Sequence, residues 1–330
     1  MSKRKNTDYL YASGRIRALE KTLLNKERID RMLDAKTLED SVKVLGDCEY
    51  GDGQELPSAR YEELLTQEHR KTFAIVRSLD PELVSVFQLQ YDYLNVKILL
   101  KSEFLGREEG VFSPLGELQV ARLKTSIHDR SFEVMSPIMR NASGYAIEEY
   151  GKTGDPQCID LILDAACFEE MLFKAKNMRS PFVLEYVKRE IDSANIKAYA
   201  RIKRQGGNAE LFRNVFFEGG TIGLPVFLAH FDDDTNTFAQ ALSYTDFGKV
   251  LEAAAPHISA GNLGNLEKIL DDFKIGKLKK AKIVSFGVET IVAYMAAKES
   301  DIKTARIILA GKAADIKSEQ IAERVRGTYV

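Results

Sequence analysis

The chain has no tryptophan, only eight prolines and three cysteines in 330 residues, and no uncharged apolar run reaches about 18 residues. The last absence excludes a membrane-spanning helix. No apolar stretch of signal-peptide length follows the basic start MSKRKNTDYLYASGR, so the chain is expected to be neither secreted nor membrane-spanning by itself. Cys48, Cys158 and Cys167 are an odd number at unrelated spacings, which argues against a disulfide or zinc framework and for buried thiols in a reduced cytoplasm. Neither sign of charge prevails. Forty-seven basic against 49 acidic residues leave a net charge of -2, so no general positive field exists to hold a polyphosphate backbone, and nucleic acid is not an expected partner.

What is present is the composition of a water-soluble globular protein, 45% apolar and 29% charged. Single cores rarely grow past roughly 250 to 300 residues, so this length implies two or three domains. Several of the few prolines sit where a helix should begin. Asp80 precedes Pro81 and Ser180 precedes Pro181, each pair reading as N-cap followed by first helical position. Downstream, Leu83, Phe87, Tyr91, Leu94 and Ile98 recur at helical spacing, as do Leu184, Val187, Ile191, Ala194 and Ala198. Segments 14–34, 37–46, 59–78, 159–176, 286–309 and 318–326 read the same way, and convincing alternating strands are absent. The predicted class is all-α.

The sequence repeats itself over a long period. YDYLNVK carries Asp92, Asn95 and Lys97, and IDSANIK carries Asp192, Asn195 and Lys197, both twelve residues after their caps. VFSPLGEL follows the first copy and VFFEGGTI the second, both Val-Phe-x-x-x-Gly, from Val111 to Gly116 and from Val215 to Gly220, predicted as non-helical linkers with a turn glycine. A fainter third copy, ESDIKTARIIL, keeps the spacing with Asp301, Thr304 and Arg306. Shared helix starts, YEELL at 61, IDLIL at 159 and LEKIL at 266, precede the three aspartates. Three divergent helical bundles are therefore predicted, over 1–105, 106–208 and 209–330, the last with a closing C-terminal helix. Asp and Asn three apart share a helix face and can bond each other or a loop lying across them. A feature used three times suits a structural role.

Catalytic motifs are sparse. Gly151-Lys152-Thr153 lacks the glycine a phosphate loop needs five residues earlier, where Ala146 stands. Asp232, Asp233 and Asn236 approximate the Mg²⁺-binding cluster of all-helical prenyl-diphosphate enzymes, with Asp271 and Asp272 as a partial second cluster. Helix capping is the simpler reading of both. His69, His128, His230 and His257 have no metal-ligand spacing, and neither a serine elbow nor a Cys–His pair occurs. No cofactor is expected. Lys274, Lys277, Lys279, Lys280 and Lys282 crowd nine residues, either a solvated helix end or a docking patch for an acidic protein surface or lipid headgroups.

In this order, the segments resemble the C subunit of bacterial and archaeal V-type (A/V-type) ATPases, counterpart of the vacuolar d subunit. The opening YLYASGRIRALEKTLLNKERIDRMLDAKTLEDSVKVLGDCEYG is similar to the family's first helical hairpin, with Arg15, Arg17, Glu20, Leu23, Leu24, Arg31, Leu33 and Tyr50 at matching places. YDYLNVK and IDSANIK match its repeated core helix, GGTI its linker and ARIILAGKAADIKSEQIAERVRGTYV its closing segment. The resemblance implies three helical domains about a pseudo-threefold axis, funnel-shaped, and a non-catalytic place in the rotor. It implies partners on two sides, central-stalk subunits of D and F type and the membrane proteolipid ring, and a peripheral position on the cytoplasmic face. Thr304 and Arg306 depart from the Asn and Lys of the other copies. A Mg²⁺-dependent prenyl-diphosphate enzyme and an unrelated helical scaffold are the alternatives from other classes.

Overall fold

A computed structural model describes residues 6–53, 57–106 and 110–330. All regular structure among them is helical, as the periodicity predicts. The basic residues before Asn6 lie outside the described range. Both predicted proline starts form. The Asp80 carboxylate accepts the Leu83 N–H at 3.1 Å at the head of the helix Pro81–Leu105, and Ser180 Oγ accepts the Val183 N–H at 3.4 Å at the head of Pro181–Arg204.

Two predicted helices are shorter than the pattern suggests, and one linker begins later. The stretch 14–34 is not continuous: Leu10–Leu19 and a 3-10 turn end at Thr22, and a new helix runs Lys26–Asp34. Asn25 causes the restart, because its extended backbone and its side chain, which accepts the Arg28 N–H, make it an N-cap. At the C-terminus only Ser318–Ala322 is helical within 318–326. Val215 still belongs to the helix Ala209–Val215, so the second linker starts at Phe216.

The chain divides into two compact units. One gathers the described residues of Met1–Leu79, Ile196–Phe212 and Pro225–Val330. Its axis is the helix Val288–Ala313, buried on nearly every side and apolar all round in its first half, Val288–Ala297, apart from Glu289 and Thr290. The helices Leu10–Leu19, Tyr61–Leu79 and Leu263–Leu278 pack directly on it, so the N-terminal hairpin and the C-terminal helix share one core. That core continues through Leu24, Ile29, Met32, Leu45, Tyr50 and Leu65 to Ile302 and Leu309. Elsewhere in the unit, Tyr199 sits inside a cage of Phe212, Phe227, Phe231 and Phe238, with ring centroids 4.6 to 6.1 Å apart. Lys203 Nζ lies over the Tyr199 ring and donates to the Asp233 carbonyl.

The other unit comprises Asp80–Asn195 and Arg213–Leu224. Here Pro81–Leu105 packs along Gln157–Asn177, which in turn lies against Pro137–Thr153. The Tyr93 hydroxyl donates to Glu170 at 2.9 Å in the interior, while Lys97 and Lys101 reach Asp164 and Asp160 at the edge of the same helix pair. Cys48 and Cys167 are buried free thiols and Cys158 is half-buried. Burial pushes the Cys48 thiol up to about 11, so it stays protonated.

Phe238→Ala should cost on the order of 3 to 5 kcal/mol in urea unfolding, since it opens a cavity among packed rings. Tyr244→Ala, at an exposed ring, should stay within about 0.5 kcal/mol.

Candidate functional site

The repeated Asp and Asn do not bond each other. Each pair turns outward from its helix and grips the linker that follows. In the first copy the Asp92 carboxylate accepts the N–H groups of Glu117 at 3.2 Å and Leu118 at 2.9 Å. Asn95 makes a reciprocal pair with Ser113, accepting its N–H at 2.8 Å and donating to its carbonyl at 2.9 Å. In the second copy Asp192 accepts the N–H groups of Thr221 at 2.9 Å and Ile222 at 3.0 Å, and the Thr221 hydroxyl as well. Asn195 pairs with Phe217 in the same reciprocal way, at 2.9 and 2.8 Å. Backbone donors, acceptors and their spacing along the linker correspond one to one, and the Thr221 hydroxyl is an extra donor in the second copy.

The linker glycines have a different purpose from the turn that was predicted. A Cβ on Gly116 would fall 2.2 Å from Asp92 Oδ1, and one on Gly220 2.1 Å from Asp192 Oδ1. Only a residue without a side chain lets the backbone come this close to the carboxylate. In the second copy the positive φ of the turn, +100°, belongs to the preceding Gly219. All four clamp residues are buried, so these bonds replace water rather than decorate a surface.

The third copy holds a different part of the chain. Asp301 accepts a single N–H, from Leu24 at 2.7 Å, at the break between the first two helices. Thr304, buried in the place of Asn, has no amide with which to pair a backbone group. Arg306 instead reaches across to Glu62 at 3.0 Å, joining the YEELL helix to the last long helix. Around Asp301 lies an ionic centre: Lys298, with no exposed surface, places Nζ 2.7 Å from Glu68 and 4.4 Å from the Tyr50 ring centroid. Burial pushes the Asp301 carboxyl up to about 7, against the opposing pull of the Leu24 N–H, Lys298 and Arg28, while Glu68 raises it further. Burial also raises Asp92, to about 6, and Asp192.

The five lysines separate into two groups. Lys277 pairs with Asp246 at 2.5 Å, and the charge of Lys274 acts on Asp271, both within the core-facing part of the helix Leu263–Leu278. Lys279, Lys280 and Lys282 are exposed on the 3-10 turn Lys279–Ile283. Arg17 fixes that turn. Its guanidinium donates to the carbonyls of Ala281 at 2.7 Å, Lys282 at 3.2 Å and Val284 at 2.9 Å, and is itself held by Glu20 at 2.8 Å. Lys197, the last member of the repeated signature, is half-buried.

Of the carboxylates that could suggest diphosphate chemistry, Asp232 is exposed and the others are engaged within the chain. Asp233 accepts from His230, Asp234 caps the helix Thr235–Ala241, Asp271 bonds Lys303 and Arg326, and Asp272 accepts the Gly327 N–H. Among the described residues no three His, Cys, Asp or Glu side chains converge as a metal-holding set. Gly151, Lys152 and Thr153 form the last turn of a helix rather than a loop. No helix of the described residues is long and apolar enough to cross a membrane.

The family model described as ATP synthase (C/AC39) subunit matches residues 12–324. The C subunit of the V-type sodium ATPase of Enterococcus hirae is 27% identical over 325 residues, which cover 95% of this chain and 97% of that protein. The C subunit of the A-type ATP synthase of Methanocaldococcus jannaschii is 24% identical, covering 95% of this chain and 85% of its own length. Its counterpart in Pyrococcus furiosus is 25% identical, with 97% and 91% covered.

Two substitutions test the clamps. Asn195→Ala strands both Phe217 backbone groups and should cost about 2 to 4 kcal/mol in urea unfolding. Asp301→Asn tests the third clamp by its pH dependence. Between the unfolded carboxyl value near 4 and about 7, the folded protein keeps a proton that the unfolded chain releases. The contribution is thus fully present below the unfolded value and is lost as the pH rises through the folded one. From pH 5 to 8 the wild type should lose about 2 kcal/mol relative to Asp301→Asn. Parallel stability curves for the two proteins would remove Asp301 as the titrating group.

Proposed function

Because the chain belongs to the ATP synthase (C/AC39) subunit family, we propose that it is the non-catalytic rotor adaptor of a V-type (A/V-type) ATPase, a socket between the central stalk and the membrane proteolipid ring. The observation that carries this reading is the reuse of one buried clamp. Two copies grip the linker that follows them, and the third grips the N-terminal segment at Leu24. An arrangement of three repeats about a pseudo-threefold axis, open as a funnel, accounts for a third clamp that receives the beginning of the chain rather than its continuation. The bundles on this reading are 1–105, 106–208 and 209–330, the last with a closing C-terminal helix.

A shaft is narrow and a ring is wide, so an adaptor must present one surface to each and pass torque between them without slip. Packed helices whose linkers are hydrogen-bonded to buried Asp and Asn side chains suit that duty, because close-packed interiors deform little under load. Stable contacts bury on the order of 1,600 Å² in total, so grip is spread over many side chains. The partners on this reading are the D- and F-type stalk subunits on one side and the ring on the other. The exposed lysines of the segment 274–282, Lys279, Lys280 and Lys282, contribute to a partner contact, and the protein sits peripherally on the cytoplasmic face.

Affinity purification of the tagged subunit from gently solubilised host membranes should recover stalk subunits and proteolipid in fixed ratio, as read by mass spectrometry. The purified chain alone should show no ATP hydrolysis above background. Isolation as a lone soluble protein, or ATPase activity that a single carboxylate substitution abolishes, would contradict the assignment.

A further inference from the structure

Three lysines and one isoleucine are left over from the packing described so far. The turn Lys279–Ile283 leaves Lys279 and Lys280 in solvent and Lys282 exposed beside Tyr329, and at its end Ile283 is 89% exposed. Single exposed aliphatic residues are common, so Ile283 by itself means little. Its setting is unusual. The turn is rooted by the buried Ala281 beneath it and by the Val284 N–H, which returns to the Ala281 carbonyl at 3.1 Å. Arg17 then spans the carbonyls of residues 281, 282 and 284, and Lys282 lies over the Tyr329 ring with its ammonium 5.0 Å from the centroid. A basic, apolar-tipped protrusion is thus held in one shape by contacts from both ends of the chain.

Its charge is also left unbalanced. Glu20 is committed to Arg17, and Asp246 to Lys277. The cations crowd one another: burial, Lys279 and Arg17 all lower the ordinary basicity of Lys282, and only Glu20 opposes them. An anion arriving from outside would relieve that repulsion.

We propose that the turn Lys279–Ile283 is a membrane-surface contact that binds anionic lipid headgroups through Lys279, Lys280 and Lys282 while Ile283 enters the headgroup boundary. This deepens the adaptor reading by naming the chemistry that the lysine segment meets. A lipid surface fits better than an acidic protein because the tip offers point charges and one aliphatic chain. Protein contacts of ordinary stability need roughly 800 Å² per partner, with aromatic or arginine anchors, and are depleted in lysine. Headgroups require only proximity, and each lysine near an anionic surface strengthens binding about fivefold.

The test is sedimentation of the purified full chain with vesicles of phosphatidylcholine alone, or of phosphatidylcholine with phosphatidylserine. The wild type should bind the serine-containing vesicles, should release at high salt, and should ignore the neutral ones. Lys279→Glu, Lys280→Glu and Lys282→Glu together should weaken binding at least tenfold, and Ile283→Ser severalfold. Lys36→Glu, Lys152→Glu and Lys249→Glu together, an equal change of charge elsewhere, should weaken it far less. Circular dichroism checks that each variant folds. Equal binding to both vesicle types, no binding to either, or equal weakening by the two triple variants would overturn the lipid assignment.

Co-purification with the rotary complex separates this failure from that of the adaptor reading. Wild-type protein that ignores vesicles yet co-purifies with stalk and ring loses only the lipid contact. If the 279/280/282 variant then fails to co-purify in detergent, the turn meets an acidic protein surface instead. Wild-type protein that binds anionic vesicles but never co-purifies with the complex keeps the lipid contact and loses the adaptor role.

Discussion

A carboxylate buried on a helix has no donors of its own, because the N–H groups above and below it are already spent on the helix ladder. Asp92, Asp192 and Asp301 are buried in this way, and each obliges another stretch of chain to return and supply an N–H. That demand places the linkers. It also fixes their register, since the adjoining Asn95 and Asn195 accept only a backbone N–H and carbonyl from one residue at the right distance. An unmet acceptor in such a place costs about 1 to 3 kcal/mol, more if charged, which is enough to hold a loop that makes few other contacts.

The third site follows the same rule with less to offer. It has one N–H rather than two, no Asn, and an ionic centre of Lys298 and Glu68 beside it. Its donor comes from residue 24, so the start of the chain is built into the same core as its last long helix. Burial holds the Asp301 carboxyl up at about 7, against about 6 for Asp92. The first two clamps hold linkers internal to the chain, while the third ties the N-terminal segment at Leu24 to the last long helix.

Much of this was legible in the sequence, for physical reasons. Helical periodicity marked the long helices, and Asp80-Pro81 and Ser180-Pro181 marked their starts because capping is local chemistry. The spacing of the repeated Asp and Asn left two readings, a bond to each other or to a loop across the helix face, and the structure selects the loop. What escaped was set by distant partners. The break at Leu23–Asn25 lies inside a stretch with good helical periodicity; the Asn25 cap restarts the helix locally, and the partner of the Leu24 N–H at the break, Asp301, is 277 residues away. The linker glycines read as turn residues, while their true constraint is the closeness of a carboxylate that only packing creates. Arg17 stood out only through family resemblance. Its three carbonyl partners near residue 282 belong to the tertiary fold. The lysine run was visible as charge, but which lysines face solvent depends on where Asp246 and Asp271 lie.

The most direct measurement is hydrogen exchange at the backbone amides of Leu118, Ile222 and Leu24. If buried aspartates hold the chain at these points, all three amides exchange far more slowly than exposed loop amides, Leu118 and Ile222 most slowly. Leu24 would then lose protection in Asp301→Ala while the other two keep theirs. Exchange of Leu118 and Ile222 at the rate of a free loop, or no response of Leu24 to the loss of Asp301, would contradict the clamp on which the whole arrangement rests.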